Sequence, residues 1–218
     1  MDTVTVVETQ RQRKGTVKVV LDAGPAFNLS LPVAAELGIH KGQTLSLAEV
    51  ERLKSAETLH RSLNRALRLF SARPRSEAEL RSRLRRAGFD SNTIQQVVAR
   101  LKQQGLVDDS EFARFWQENR DIFRPLSRRL IALELKQKGV DSETIAEAIS
   151  GIDDESGAYR AAQKKVRTLN CVDYPSFRKR LGAFLKRRGF DYELINRTID
   201  RVWQEKENSQ PGSGKERS

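Results

Sequence analysis

One constellation recurs three times along this chain of 218 residues: a proline, a glycine fourteen positions on, then an apolar residue and an aspartate. The copies are Pro74, Gly88, Phe89, Asp90; Pro125, Gly139, Val140, Asp141; and Pro175, Gly189, Phe190, Asp191. Successive glycines lie 51 and 50 residues apart. Leu84, Leu135 and Leu185 each precede their glycine by four, and Ile94, Ile145 and Ile195 each follow by six. Self-similarity at a period near fifty means one supersecondary unit used three times. Stacked helical units serve more often to grip long partners than to perform chemistry.

The physics of the unit can be read from its first copy. Proline suits the approach to a helix because no amide donor is needed there. Ser76 and Glu79 have capping-box spacing, and Leu80, Leu84 and Ala87 recur at helical spacing. Gly88 follows the last turn, where a left-handed residue costs least if it lacks a Cβ. Phe89 folds back on that turn, and Asp90 stands where a carboxylate can accept the free amides of the next helix. Ile94, Val97, Val98 and Leu101 line that helix, and Gly105 ends it. The expected unit is therefore helix, proline break, helix, Gly-apolar-Asp turn, helix. Its first helices are expected at about Ser55–Ser71, Ser110–Phe123 and Glu155–Leu169.

Ahead of the repeats the pattern changes to period two. Thr3–Glu8, Thr16–Leu21 and Phe27–Leu31 read as short strands, separated by turn signals at Arg11–Gly15 and Ala23-Gly24-Pro25. Pro32 opens a short helix through Leu37 that Gly38 stops. Ser46 and Glu49 have capping-box spacing and should start a further helix, either continuous to about Ser71 or broken near Ser55. The expected fold is mostly α: three tandem three-helix repeats in an elongated array, preceded by a small strand-containing N-terminal module. The boundaries are 1–45 for the module, 46–106, 107–152 and 153–207 for the repeats, and 208–218 for a polar, disordered tail.

Charge separates the same regions. The chain carries 40 Lys and Arg against 29 Asp and Glu, a net +11. Residues 1–55 hold 7 basic and 6 acidic side chains, so the repeat region carries +10 of that balance. An electropositive repeat points to nucleic acid or another polyanion, although a solvated basic surface would give the same count. No apolar run approaches the ~20 residues that cross a bilayer. The N-terminus has no signal-peptide core, and the single cysteine, Cys171, cannot form an internal disulfide; both fit a cytosolic protein.

Catalytic signals are weak. His40 and His60 are the only histidines, and with one cysteine there is no zinc spacing. Cys171 reads as a small buried residue. Gly212-Ser-Gly-Lys215 lacks the full phosphate-loop spacing and a preceding strand. Asp108, Asp109 and Glu111, like Asp153, Asp154 and Glu155, stand where helices begin and read as helix-start charges rather than a metal site. Phe112, Phe115, Trp116 and Phe123 follow helical spacing and read as core rather than as base-stacking platforms; Trp203 and Tyr192 fit either role. No catalytic, cofactor or metal residue is assigned.

The basic pattern carries more. Three residues before each repeat glycine stands Arg85, Lys136 or Lys186. Arg81, Arg83, Arg86, Lys138, Arg187 and Arg188 lie around them, and Arg128, Arg129, Lys179 and Arg180 lie earlier in the same helices. Units in register would set these charges along one flank, suited to an extended anion. The competing reading is that Arg and Lys form helices well and occupy exposed faces generally. The candidate partner- or DNA-binding residues are Arg81, Arg85, Arg86, Arg128, Arg129, Lys136, Lys179, Lys186 and Arg187.

Gly105-Leu-Val-Asp-Asp-Ser-Glu-Phe-Ala113, followed by Arg124-Pro-Leu-Ser-Arg-Arg-Leu-Ile-Ala-Leu-Glu-Leu-Lys-Gln-Lys-Gly-Val-Asp141, resembles the RecX family of recombination regulators. The segments Ser76–Asp90 and Arg178–Asp191 match its flanking units, so the resemblance spans roughly residues 56–205. Leu106 departs from it, since members often carry an aromatic residue there. The resemblance implies a curved helical array lodged in the groove of a RecA filament on single-stranded DNA. It implies suppression of the filament's ATP hydrolysis, strand exchange and growth by a cytoplasmic monomer, with no catalysis and no cofactor. Two other classes compete with it: a general DNA- or RNA-binding helical repeat without a recombinase partner, and, least favoured, a nuclease.

Overall fold

The computed structural model describes residues 3–12, 15–171 and 173–208. They form two compact units, one running to Arg75 and including Glu79–Val107, the other comprising Ser76–Ala78 and the chain from Asp108 onward.

The first unit starts with an antiparallel sheet of order β3-β2-β1-β4, built from β1 (Thr3–Gln12), β2 (Thr16–Leu21), β3 (Phe27–Ser30) and β4 (Thr44–Ser46). Strand β1 runs further than its alternation suggests: Arg11 and Gln12 still pair with Val17 and Thr16, so the turn is tighter than Arg11–Gly15. Arg13 and Lys14 lie outside the described residues. A register shift between Val6 and Glu8 turns Val7 outward, while Val4, Val6, Val19, Leu21 and Leu29 stay buried. Strand β4 was not expected. It is three residues long with one buried side chain, Leu45, too short for a period to show. Helix α1 (Leu31–Glu36) carries Pro32 in its first turn, as expected.

Helix α2 (Leu47–Phe70) is one continuous element. The Ser46 hydroxyl accepts the Glu49 amide, and the Glu49 carboxylate accepts the Ser46 amide at 2.7 Å, which satisfies donors that a helix start leaves free. The helix serves two cores. Val50, Leu53 and Ala56 pack on the sheet, whereas Leu59, Leu63 and Ala66 pack with α3 (Glu77–Arg86) and α4 (Ser91–Gln103) around Leu80, Leu84, Ile94, Val97, Val98 and Leu101. Buried Glu57 sits between the two sets and accepts both the amide and the hydroxyl of Ser30, at 2.7 and 2.8 Å. The link to α3 is held by Glu79, whose carboxylate accepts Arg73 at 2.6 Å and Arg75 at 2.7 Å.

The second unit contains two further three-helix sets, α5 (Asp109–Phe123), α6 (Arg128–Gln137) and α7 (Ser142–Ile149), then α8 (Asp154–Val166), α9 (Tyr174–Arg187) and α10 (Tyr192–Asn208). Their cores centre on Phe112, Ile131 and Leu135 and on Phe177, Leu181, Leu185 and Ile199. Cys171 is buried in the second of these. Asp108 and Asp153 cap α5 and α8, as their helix-start reading requires. The prolines are not equivalent, however. Pro125 precedes α6, but Asp173 caps α9 early and Pro175 lies inside its first turn. Phe123 is also not core: it is 73% exposed beside exposed Ile122, at the last position of α5. Helix α10 reaches Asn208, and the rest of the expected tail lies outside the described residues.

Candidate partner and nucleic-acid interface

Each repeat places its basic residue by the same local chemistry. The last carbonyls of a helix lack intrahelical donors, and a left-handed glycine turns the chain so that following amides reach them. Gly88, Gly139 and Gly189 have φ of 87°, 78° and 85°. Their amides donate to the carbonyls of Arg85, Lys136 and Lys186, each at 3.0 Å. Phe89 and Val140 donate to Leu84 and Leu135 at 3.3 and 3.2 Å, completing the six-residue closure in the first two repeats. The leucine four before each glycine is fully buried. One residue further along a helix is rotated by about 100°. Arg85, Lys136 and Lys186 are accordingly exposed.

The remaining candidates repeat less strictly. Arg86, Arg128, Arg129, Lys179 and Arg187 are exposed, while Arg81 is half-buried. Counted from the glycines, Arg128 and Arg129 correspond to Arg178 and Lys179 in the third repeat but to Glu77 and Ala78 in the first. Arg81 corresponds to Ala132 and Gly182, and Arg86 to Gln137 and Arg187. Only the position three before the glycine is basic in all three copies. Arg85, Lys136 and Lys186 form no ion pair with a described residue. They also stand in the last turn of α3, α6 and α9, where a cation complements the helix dipole, so the position has a local as well as an external use.

Two neighbouring cations are committed to structure. Arg188 is half-buried, lies 4.7 Å over the Phe184 ring and donates to the Pro125 carbonyl at 3.0 Å. Burial, then the like charges of Arg124 and Arg120, lower its pKa from the usual arginine value. Lys138 lies 4.9 Å over Trp116, whose indole donates to Glu134 at 2.8 Å; Arg120 stacks on the same ring and pairs with Glu134 at 2.7 Å. Trp116 is thereby enclosed by protein. Trp203 likewise packs on Tyr174 and Phe177. Tyr192 takes the opposite course and is 75% exposed. Sequence periodicity could not separate these aromatics, because Tyr192 occupies the first position of a helix, before any face is established.

The acidic residues of the turns serve as caps. Asp90, Asp141 and Asp191 accept amides of Thr93, Thr144 and Leu194 at 2.9–3.0 Å. The backbone bond from Thr93 to Asp90, and that from Thr144 to Asp141, hold these two carboxyls below their ordinary pKa. No group of three or more His, Cys, Asp or Glu that could hold a metal ion occurs among the described residues. No helix there is long and apolar enough to cross a membrane.

Three tandem three-helix sets behind a strand module, with an exposed cation at a fixed place in each set, describe a helical repeat protein. Models of the first, second and third three-helix domains of RecX match residues 63–101, 108–149 and 153–199. A regulatory protein RecX of Chlorobaculum tepidum is 40% identical over 141 residues, covering 65% of this chain and 88% of that one. One from Clostridium perfringens is 27% identical over 207 residues, covering 93% and 97%. A crystal structure of a regulatory protein RecX superposes with a TM-score of 0.64 at 20% identity, over 90% of this chain and 99% of the other. The RecX of Lactobacillus salivarius gives 0.57 over 68% and 99%. The chain belongs to the RecX family of regulatory proteins.

Proposed function

We propose that this protein regulates homologous recombination by binding the RecA filament on single-stranded DNA and restraining its ATP hydrolysis, strand exchange and growth. It acts as a cytoplasmic monomer and without catalysis of its own. Membership of a family of regulatory proteins supports the regulatory role. The observation that carries the reading is the exposed cation three residues before each repeat glycine, Arg85, Lys136 and Lys186, held by the same turn in each copy. A repeat that presents one cation per unit suits a partner whose own charges repeat, and a nucleoprotein filament is such a partner.

The test is cosedimentation of the intact protein with RecA filaments assembled on single-stranded DNA with a non-hydrolysable ATP analogue, beside the same DNA without RecA at equal salt. Tighter binding to the filament than to bare DNA, with slowed ATP hydrolysis in a parallel assay, is the expected result. Equal binding to both would make this a general nucleic-acid-binding repeat and remove the recombinase from the account.

A further inference from the structure

The third repeat contains an open groove. It lies between α9 and α10 and has a volume of about 540 Å³. Gly182 forms part of its lining. A Cβ there would stand 3.5 Å from Ile199 Cδ1 and 3.9 Å from Ile195 Cγ2; both isoleucines are buried beneath it, so the apolar floor of the groove is formed by Gly182 with exposed Pro175 and Ala183. The exposed ring of Tyr192 also lines the groove. Arg178, Lys179 and Lys186 complete it, spaced along α9 so that they fall on the same side of the helix as Gly182. No carboxylate lines it. The acids beside Tyr192 in sequence are Asp191, engaged in capping through the Leu194 amide, and Glu193. Tyr174 lines the groove too, and its hydroxyl is held by Asp200. At the positions of Gly182 and Tyr192 the first repeat has Arg81 and Ser91, and the second has Ala132 and Ser142.

We propose that this groove binds one nucleotide of single-stranded nucleic acid, its base against Tyr192 and the apolar floor and its flanking phosphates on Lys179, Lys186 and Arg178. The proposal rests on the nucleic-acid part of the reading above and gives it an address. Three cations without a facing carboxylate complement phosphate. A solvent-exposed ring beside an apolar floor complements the face of an unpaired base, which every base offers and a duplex conceals. An acidic peptide would satisfy the cations and leave the ring and floor unused.

The experiment measures fluorescence anisotropy of a labelled twenty-residue oligothymidylate with the full chain, across a salt series, with circular dichroism to verify folding. Tyr192→Ala should weaken binding about tenfold with little change in the salt slope, and Tyr192→Phe should retain it. Lys179→Ala with Lys186→Ala should reduce the slope by about 1.4, at roughly 0.7 per phosphate contact on a single strand. Gly182→Leu, which fills the groove and removes no charge, should weaken binding as Tyr192→Ala does. The proposal is overturned if Tyr192→Ala and Gly182→Leu bind as the parent does while the lysine variant weakens, since the cations alone would then act. It is overturned in favour of a protein-docking groove if those two variants lose only RecA-filament cosedimentation. A parent protein that does not bind the oligonucleotide would remove both this proposal and the direct DNA contact beneath it.

Discussion

The turns at Gly88 and Gly189 have nearly the same backbone and different surroundings. Their φ values are 87° and 85°, and each amide donates to the carbonyl three residues back at 3.0 Å. A Cβ added at Gly88 would meet nothing within 4 Å. At Gly189 it would stand 2.5 Å from Ser127 Oγ and 2.6 Å from Leu130 Cγ. The Ser127 amide donates to the Arg188 carbonyl one residue earlier in the same turn. Glycine is thus required at the first turn by conformation alone. At Gly189 it is also required by the approach of α6 from the preceding repeat. Gly139 resembles Gly189, since its Cβ would lie 2.4 Å from Ala78 Cβ within the same compact unit. A repeated residue in a repeated conformation need not have one energetic role.

The largest effect that can break this comparison is the pair of alanine substitutions. Gly189→Ala combines a left-handed backbone with overpacking and should destabilise by roughly 2–4 kcal/mol in urea denaturation. Gly88→Ala should cost only about 1 kcal/mol. Equal losses would mean that the approach of α6 relaxes without cost and that the two turns are equivalent after all.

A double-mutant cycle sharpens the point at a smaller scale. Leu130→Ala removes two of the atoms that an added Cβ at Gly189 would meet. Coupling between Gly189→Ala and Leu130→Ala of about 0.5–3 kcal/mol in the relieving direction is expected, whereas Gly88→Ala should add to Leu130→Ala without coupling.

The repeat chemistry was legible because it is local. A glycine after a helix, an apolar clasp and a capping aspartate act within six residues, and all three turns formed as their sequence requires. What lay outside the sequence was whatever depended on distant partners. Strand β4 exists because Thr5 pairs with Thr44. Glu57 is buried because Ser30, twenty-seven residues earlier, needs an acceptor. Phe123 keeps the helical spacing of its neighbours and is nevertheless exposed at the last position of α5, since spacing groups residues on a face but does not say what packs on it. Pro175 keeps the repeat spacing but lies within a helix because Asp173 caps it early. At the candidate site, the exposed positions of Arg85, Lys136 and Lys186 followed from their step past a buried leucine. The structural commitment of Lys138 and Arg188 to Trp116 and Phe184 did not.

The smallest expected effect concerns the shared part of the turns. Asp90 and Asp141 have pKa values lowered chiefly by the amides of Thr93 and Thr144. A lowered folded pKa means that the stabilisation is fully present above the ordinary carboxylate value and is lost as pH falls through the folded one. Asp90→Asn and Asp141→Asn should therefore each lower the melting temperature slightly at neutral pH, with the difference from the parent shrinking below about pH 4. Because both aspartates hold the same local place, the two shifts should be similar despite the different surroundings of Gly88 and Gly139. A difference between them that persists into acid would show that the caps also depend on tertiary context.

The central claim is that the cation fixed by each turn faces the filament. Its most direct test replaces Arg85, Lys136 and Lys186 together by glutamate and measures cosedimentation with RecA filaments on single-stranded DNA. Exposed substitutions usually change stability by only about 0.5 kcal/mol each, so the triple variant should remain folded by circular dichroism. The account predicts a sharp loss of filament binding at low salt and a flatter salt dependence of what remains, because fewer counterions are released. A folded triple variant that binds the filament with the parent's affinity and still slows its ATP hydrolysis at the same concentration would contradict the account and leave the three cations as helix-end charges.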